Sequence, residues 1–296
     1  MTDDEFLAQR FEEHRAHLRG VAYRMLGSVS DADDAVQEAW LRLSRTDADE
    51  IDNVRAWLTT VVARVSLNAL RTRRTRREEP LGPEVHEPDP IISPPDGIDP
   101  EQEALLADSV GLALLVVLET LAPAERLAFV LHDMFAMPFD EIAPMLDRSP
   151  AAARQLASRA RRRVRGAAPP PPDDLARQRE VVDAFFAAAH EGDFEALVAV
   201  LDPDIVLRSD GGALRPGVTR IIRGAEEVAG QALMFAHLAP HVRPVLVNGV
   251  AGALIAPRGK PYSVMAFTVA GGRVVAIDVV ADPERLRELD LTALED

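Results

Sequence analysis

FDEIAPMLDRSPAAARQLASRARRRVR, residues 139–165, is the stretch on which the reading of this chain turns. It divides into a short helix (Asp140 to Leu146), a tight turn at Asp147 and Arg148, and a longer helix. Ser149 followed by Pro150 is a strong start for the longer helix. A serine hydroxyl accepts an otherwise orphaned N–H of the first turn, and proline brings no N–H that would go unpaired. At helical spacing Ala153, Ala157, Ala160 and Val164 share one face, expected to turn inward. Ala151, Arg154, Gln155, Ser158, Arg159 and Arg162 share the opposite one. A small-residue inner face and a cationic outer face, entered through a tight turn, is the form of a helix-turn-helix whose second helix lies in a major groove. Pro144 is expected to be tolerated because it falls within the first turns of its own helix.

Total charge argues the other way. The 296 residues carry 33 Lys+Arg against 48 Asp+Glu, a net of −15. The distribution resolves the conflict. Residues 1–77 are neutral overall and 109–166 carry +2, whereas 78–108 carry −10 and 167–296 carry −7. Five arginines fall between Arg71 and Arg77 and six between Arg154 and Arg165. Each cluster ends a helical unit, so each is a local cationic footprint that the net charge conceals. Cations also complement the negative end of a helix dipole, but two such clusters favour contact with phosphate. Absence of cysteine excludes disulfides and thiolate chemistry. With 47% apolar residues the chain can bury real cores. No apolar run nears the ~20 residues of a membrane span, and the acidic start MTDDEF is not a signal peptide, so a cytoplasmic protein is expected.

Upstream of residue 77 the pattern is helical throughout. Phe11, Leu18, Val21, Ala22, Met25 and Leu26 recur at helical spacing until Gly27. Ser30 is expected to cap a second helix with Asp31, Asp33 and Asp34 in its first turn, and Ala35, Val36, Ala39, Trp40 and Leu43 along its apolar stripe. A third helix, with Trp57, Leu58, Val61, Val62, Val65, Leu67 and Leu70, runs into the first arginine cluster. Residues 78–98, EEPLGPEVHEPDPIISPPDGI, are acidic and proline-rich; they read as a stiff linker able to lie across a basic surface. Helices are expected over Ala104 to Leu121 and Ala124 to Phe135. AAPPPP at 167–172 marks a second break. Beyond it two helices (Asp174 to Glu191 and Asp193 to Leu201) precede β-rich runs at 205–210, 241–257, 263–272 and 273–280, an α+β layout in which an antiparallel sheet curls around helices.

Together these segments resemble a known family. DADDAVQEAWLRL (31–43) and NVRAWLTTVVARVSLNALRTRR (53–74) look like region 2 of an extracytoplasmic-function sigma factor, group IV of the sigma-70 family. LAPAERLAFVLHDMFAMPFDEIAPMLDRSPAAARQLASRARRRV (121–164) looks like region 4. VVDAFFAAAHEGDFEALVAVLDPDIVLRSDGG (181–212) is similar to the start of a SnoaL-like domain, the extension of the branch called SigJ-type. The resemblance implies a multidomain fold: two all-α domains, a region 2 bundle over 1–77 and a region 4 helix-turn-helix over 99–166, and an α+β SnoaL-like cone over 173–296. The 78–98 linker and the 167–172 proline stretch join them. Three signatures of the branch are met unevenly. Its Trp-Leu-Pro-Glu-Pro segment meets Glu84-Val85-His86-Glu87-Pro88, its Asp-Gly-Gly-Gly-Lys segment meets Asp210-Gly211-Gly212-Ala213-Leu214, and its Asn-Pro-Asp-Lys-Leu segment meets Asp282-Pro283-Glu284-Arg285-Leu286.

What the resemblance implies is a subunit that binds core RNA polymerase, by the β′ clamp helices and the β flap, and directs it to promoter DNA. Asp31, Asp33, Asp34, Gln37, Glu38 and Arg42 match the clamp-binding surface. Asn53, Arg55, Trp57 and Arg64, with Arg71, Arg73 and Arg74, match −10 recognition, although Trp57 lies on the apolar stripe and by itself reads more readily as core. Arg148, Ser149, Ala151, Arg154, Gln155, Ser158, Arg159 and Arg162 match −35 recognition. Arg154 and Gln155 are near the helix start, where base edges are read; Arg159, Arg161, Arg162, Arg163 and Arg165 are expected on phosphate. In the extension, Phe185, Phe186, Met234, Phe235, Met265 and Phe267 are candidates to line an apolar pocket for a small-molecule ligand. His190, His237, His241, Asp210 and Asp278 are its candidate polar groups, and Gly211, Gly212, Asp282, Pro283 and Arg285 belong to the regulatory segments. No catalytic pair, cofactor loop or metal-ligand spacing is expected. The leading expectation is control of the sigma regions in cis by the extension. The alternative is an extension that turns over or senses a small molecule, and a third reading is a repressor that binds DNA alone.

Overall fold

A computed structural model describes residues 3–46, 51–76, 88–95, 97, 111–289 and 291 of the chain. These residues form two compact units. One gathers 3–46, 51–76 and 115–167; the other gathers 88–95, 97, 111–114 and 168–291. Among the described residues no helix is long and apolar enough to cross a membrane.

The first unit opens with α1 (Asp3–Leu26), α2 (Val29–Leu43) and α3 (Val54–Arg76). Phe11, Leu18, Val21, Ala22, Met25 and Leu26 of α1 are all buried, as their spacing demands, and Gly27 ends the helix with φ 73°. The cap of α2 lies two residues before the expected Ser30: Ser28 accepts the N–H of Asp31 at 3.3 Å, so Ser30 is inside the helix. Asn53 caps α3 by accepting the N–H of Ala56 at 3.1 Å. The later part of the unit holds α4 (Leu112–Glu119, from Leu115 onward), α5 (Pro123–Phe129), a π turn at Val130–Met134, α6 (Phe139–Ile142), a 3-10 turn at Ala143–Met145 that takes in Pro144, and α7 (Pro150–Ala167). The short helix therefore opens one residue earlier than expected and changes pitch where Pro144 removes an N–H. Asp147 makes the turn in the left-handed region with φ 54°. The part of the expected Ala104–Leu121 helix before residue 111 is outside the described residues.

The second unit contains α8 (Leu175–Glu191), α9 (Phe194–Val200), α10 (Ala225–Met234) and α11 (Pro283–Glu288) around one seven-stranded sheet. Its strands are β1 (Ile92–Ser93), β2 (Leu201–Asp210), β3 (Arg220–Arg223), β4 (Val242–Val247), β5 (Val250–Ile255), β6 (Ser263–Ala270) and β7 (Arg273–Val280), in the order β1-β4-β5-β6-β7-β2-β3. Asn248-Gly249 turns β4 into β5, and Gly271-Gly272 turns β6 into β7; all four residues have positive φ, as tight two-residue hairpins require. The α+β SnoaL-like arrangement is as expected, with one departure. The sheet is mixed, because β2 runs parallel to β7. These strands are some 60 residues apart in sequence, and no hairpin dictates their direction. Phe185, Leu197, Ile205, Val228, Phe267 and Ile277 sit at the heart of the core between the sheet and α8 to α10.

Candidate functional site

The outer face of α7 forms as its spacing predicts. Ala153, Ala157 and Ala160 are fully buried, whereas Ala151, Arg154, Gln155, Ser158, Arg159 and Arg162 are exposed. Ser149 caps the helix, accepting the N–H of Ala152 at 3.2 Å. Arg154 lies over the Phe139 ring at 5.3 Å, which holds its guanidinium beside the start of the helix. The arginines further along are not equivalent. Arg159 and Arg163 both reach Glu125, at 3.2 and 2.9 Å, and Arg161 reaches Asp133 at 2.5 Å. Among the described residues Arg148, Arg162 and Arg165 have no acidic partner.

In the α1–α3 bundle the acidic face of α2 is partly engaged. Asp31 pairs with Arg73, Asp33 with Arg19 at 2.5 Å, and Glu38 with Arg42 at 2.9 Å, while Asp34 and Gln37 are exposed. Arg73 also donates to the carbonyl of Leu26 at 3.3 Å, so it ties α3 to the α1–α2 corner. Arg71 and Arg74 project into solvent, as does Arg55. Arg64 donates to the carbonyl of Pro144 at 3.3 Å. Trp57 is half-buried. His17 lies beneath Arg55 and edge-on to Phe135 (5.2 Å, 88°); burial, then repulsion from Arg55, lowers its pKa to about 4. It is neutral at pH 7 and adds no charge to this surface.

Two of the three signature segments picked from sequence, 210–214 and 282–286, meet at one point of the second unit. Asp282 caps α11 by accepting the N–H of Glu284 at 2.9 Å, with Pro283 at the first helical position. That cap aims Arg285 at two carboxylates: Nη1 meets Asp210 Oδ2 at 2.7 Å and Nη2 meets Asp89 Oδ1 at 2.8 Å. Burial opposes the charge on Arg285, but the two carboxylates outweigh it and its pKa is raised. Gly212 donates to Asp210 Oδ1 at 2.9 Å and has φ 60°. A Cβ there would come within 2.3 Å of the Asp282 carboxylate, so glycine is required. Gly211 is as constrained, since a Cβ would stand 2.3 Å from the carbonyl of Arg215. Asp89 is one residue beyond the segment matched in sequence, and the rest of that segment, 84–87, lies outside the described residues. Where described, the linker packs on the second unit. Ile91, Ile92 and Ser93 are buried, β1 pairs with β4, and Asn248 holds Ile91 by both its backbone N–H and its Oδ1. Nothing in the local sequence singles out Asp89 or Asn248 for this, apart from the hairpin dipeptide that contains Asn248.

On the α8 face of the sheet a cavity of about 120 Å³ opens between α8, α10 and strands β2, β5 and β6. Phe185, Phe186, Phe235 and Met265 line it as expected. Phe267 does not; it is fully buried behind them, packed against both Phe185 and Phe186. Met234 is 68% exposed, pointing away at the end of α10. None of the five expected polar groups lines the cavity. Side chains alternate along a strand, so with Ser209 and Val279 at the cavity, Asp210 and Asp278 must face the opposite side of the sheet. There Asp278 is buried and accepts from Arg208 at 2.7 Å, and burial raises its pKa. His190 is exposed at the end of α8, and His237 and His241 are outside the lining. The polar lining is instead Ser209, Arg220, Gln231, Tyr262 and Ser263. Among the described lining residues there is no carboxylate and no imidazole.

Comparison with known proteins matches residues 10–76 to Sigma-70 region 2 and residues 111–164 to Sigma-70, region 4. The chain is 40% identical to the ECF RNA polymerase sigma factor SigJ of Mycobacterium tuberculosis, over 93% of this chain and 91% of that protein. The chain belongs to the ECF RNA polymerase sigma factors. A second relative, the probable ECF RNA polymerase sigma factor SigI of the same species, is 34% identical over 98% of both chains. The crystal structure of Mycobacterium tuberculosis SigJ superposes with a TM-score of 0.79 at 37% identity, covering 96% of this sigma factor and 99% of that chain. The likeness therefore runs through the SnoaL-like unit as well as the two sigma regions.

Proposed function

We propose that this sigma factor binds core RNA polymerase through the acidic face of α2, meets the −10 element with Asn53, Arg55 and the arginines ending α3, and meets the −35 element with α7. In this reading residues 1–77 act as region 2, 78–98 as linker, 99–166 as region 4, 167–172 as tether and 173–296 as a control domain, all in the cytoplasm with the polymerase. Exposed Asp34 and Gln37 and the weakly tied Asp33 and Glu38 leave α2 able to exchange its surface pairs for a basic helical partner, since exposed ion pairs contribute only ~0–1 kcal/mol. Arg154 and Gln155 at the start of α7 read bases, and Arg162 and Arg165, free of acidic partners among the described residues, hold phosphate.

The observation that carries the control is the Asp210–Arg285–Asp89 clamp. It fixes the segment joining the two sigma regions onto the third domain, and the separation of two tethered DNA-binding modules decides whether both engage one promoter. An Arg285→Ala or Asp89→Ala change in the full-length chain is expected to shift run-off transcription with purified core enzyme about threefold or more, in the same direction for both. Yields equal to wild type for both variants would sink the clamp as a control element, while transcription itself tests the sigma assignment. For the cavity, the lack of a carboxylate or imidazole among the described lining residues favours sensing over catalysis.

A further inference from the structure

The geometry points to a binding site for a small aromatic carboxylate in the SnoaL-like cavity, with the acid group on Arg220 and the ring among Phe186, Phe235 and Met265. Charge comes first. Arg220 is half-buried at the cavity wall, and its guanidinium meets only neutral acceptors among the described residues: Gln231 Oε1 at 3.2 Å and the carbonyl of Gly217 at 2.5 Å. Arg215 is in the same position, shared between the carbonyls of Tyr262 and Ala281 at 3.1 Å each and lying over the Tyr262 ring at 4.5 Å. Tyr262 and Ala281 both belong to the lining. By contrast Arg208 and Arg285 of the same unit, also largely withdrawn from water, each hold a carboxylate. A cation kept from full hydration without a counter-charge is costly, and an anion delivered to it gains a charge-assisted, bidentate contact.

Size and polarity narrow the class. About 120 Å³ is close to the ~150 Å³ of an apolar cavity that holds one benzene. Apart from Arg220, Ser209, Gln231, the Tyr262 hydroxyl and Ser263, the described walls are alkyl and aromatic, which suits a ring and leaves a second charge unmet. Ser209 and Gln231 flank Arg220 in the lining and supply further polar contacts. Ser209 also precedes Asp210 on β2, so the strand end that faces the ligand is the strand end that carries the linker clamp.

This rests on the sensing reading above and is tested without polymerase or promoter, so its failure leaves the sigma assignment untouched. Full-length protein is titrated by ¹⁹F NMR with 4-fluorophenylacetate and with its uncharged isostere 2-(4-fluorophenyl)ethanol. The acid is expected to bind at least about tenfold more tightly than the alcohol. Arg220→Met should bring the two within about threefold while leaving the alcohol's Kd unchanged, Arg220→Lys should retain part of the preference, and Ala232→Trp should abolish binding of both by filling the cavity. No binding of either compound, equal affinities in the wild type, or a preference that survives Arg220→Met would overturn the proposal.

Discussion

His17 shows how a single side chain acquires a property its type does not dictate. An exposed histidine takes up a proton near pH 6.5. Here burial, and then the neighbouring cations Arg55 and Arg24, hold the folded-state pKa at about 4. As pH falls through 6.5 the unfolded chain binds a proton at this position and the folded chain does not, so stability declines progressively from there down to about pH 4. His17→Gln should flatten that part of the stability profile, read by urea unfolding at several pH values; an unchanged slope would show that other groups set it. The same lesson holds for Asp278 and Asp210. Their identity as acids was legible, but which side of the sheet they face depends on strand register, and a shift of one residue reverses it.

Within single elements the sequence was most informative where local chemistry decides. The cap at Ser149 and the alanine stripe of α7 both follow from hydrogen-bond supply and spacing along one helix. The division of labour among the arginines of α7 did not follow, because Glu125 and Asp133 approach from other turns of the chain. That division makes a prediction at this scale. Arg154→Ala should change which −35 sequences support transcription, as loss of a base contact worth ~1–3 kcal/mol would. Arg162→Ala should weaken all promoters alike and lower the salt slope of DNA binding by about one. Uniform, sequence-independent losses from both changes would refute the assignment. The direction of β2 is the counterpart in the sheet: its residues mark it as a strand, but its parallel pairing with β7 is set by strands and helices far along the chain.

At the scale of the molecule, the two sigma regions share one compact unit. Arg126 of α5 is buried and donates from Nε to the carbonyl of Arg24 in α1 at 3.0 Å, and burial lowers its pKa to about 10. Phe135 meets His17 edge-on and Arg24 at 5.1 Å. A contact built around a desolvated cation is weaker than an apolar one of equal area, which fits the proposed reading, in which the two regions separate to meet two promoter elements. Phe135→Ala should increase the radius of gyration of the free protein in small-angle scattering and tighten its binding to promoter DNA. Unchanged scattering would show that this contact does not hold the regions together. What the sequence determined by itself was most of the elements, though not β1, β3, α10 or α11, with the helix-turn-helix, the arginine clusters and the family to which they belong, because caps, spacing and local charge act over a few residues. Only the tertiary structure decided that Asp89 and Asp210 share Arg285, that Arg220 and not a histidine or aspartate faces the cavity, and that the described linker lies on the SnoaL-like unit. Each of those joins residues more than ten, and in one case 196, positions apart, where burial and strand register, and not neighbouring sequence, choose the partner.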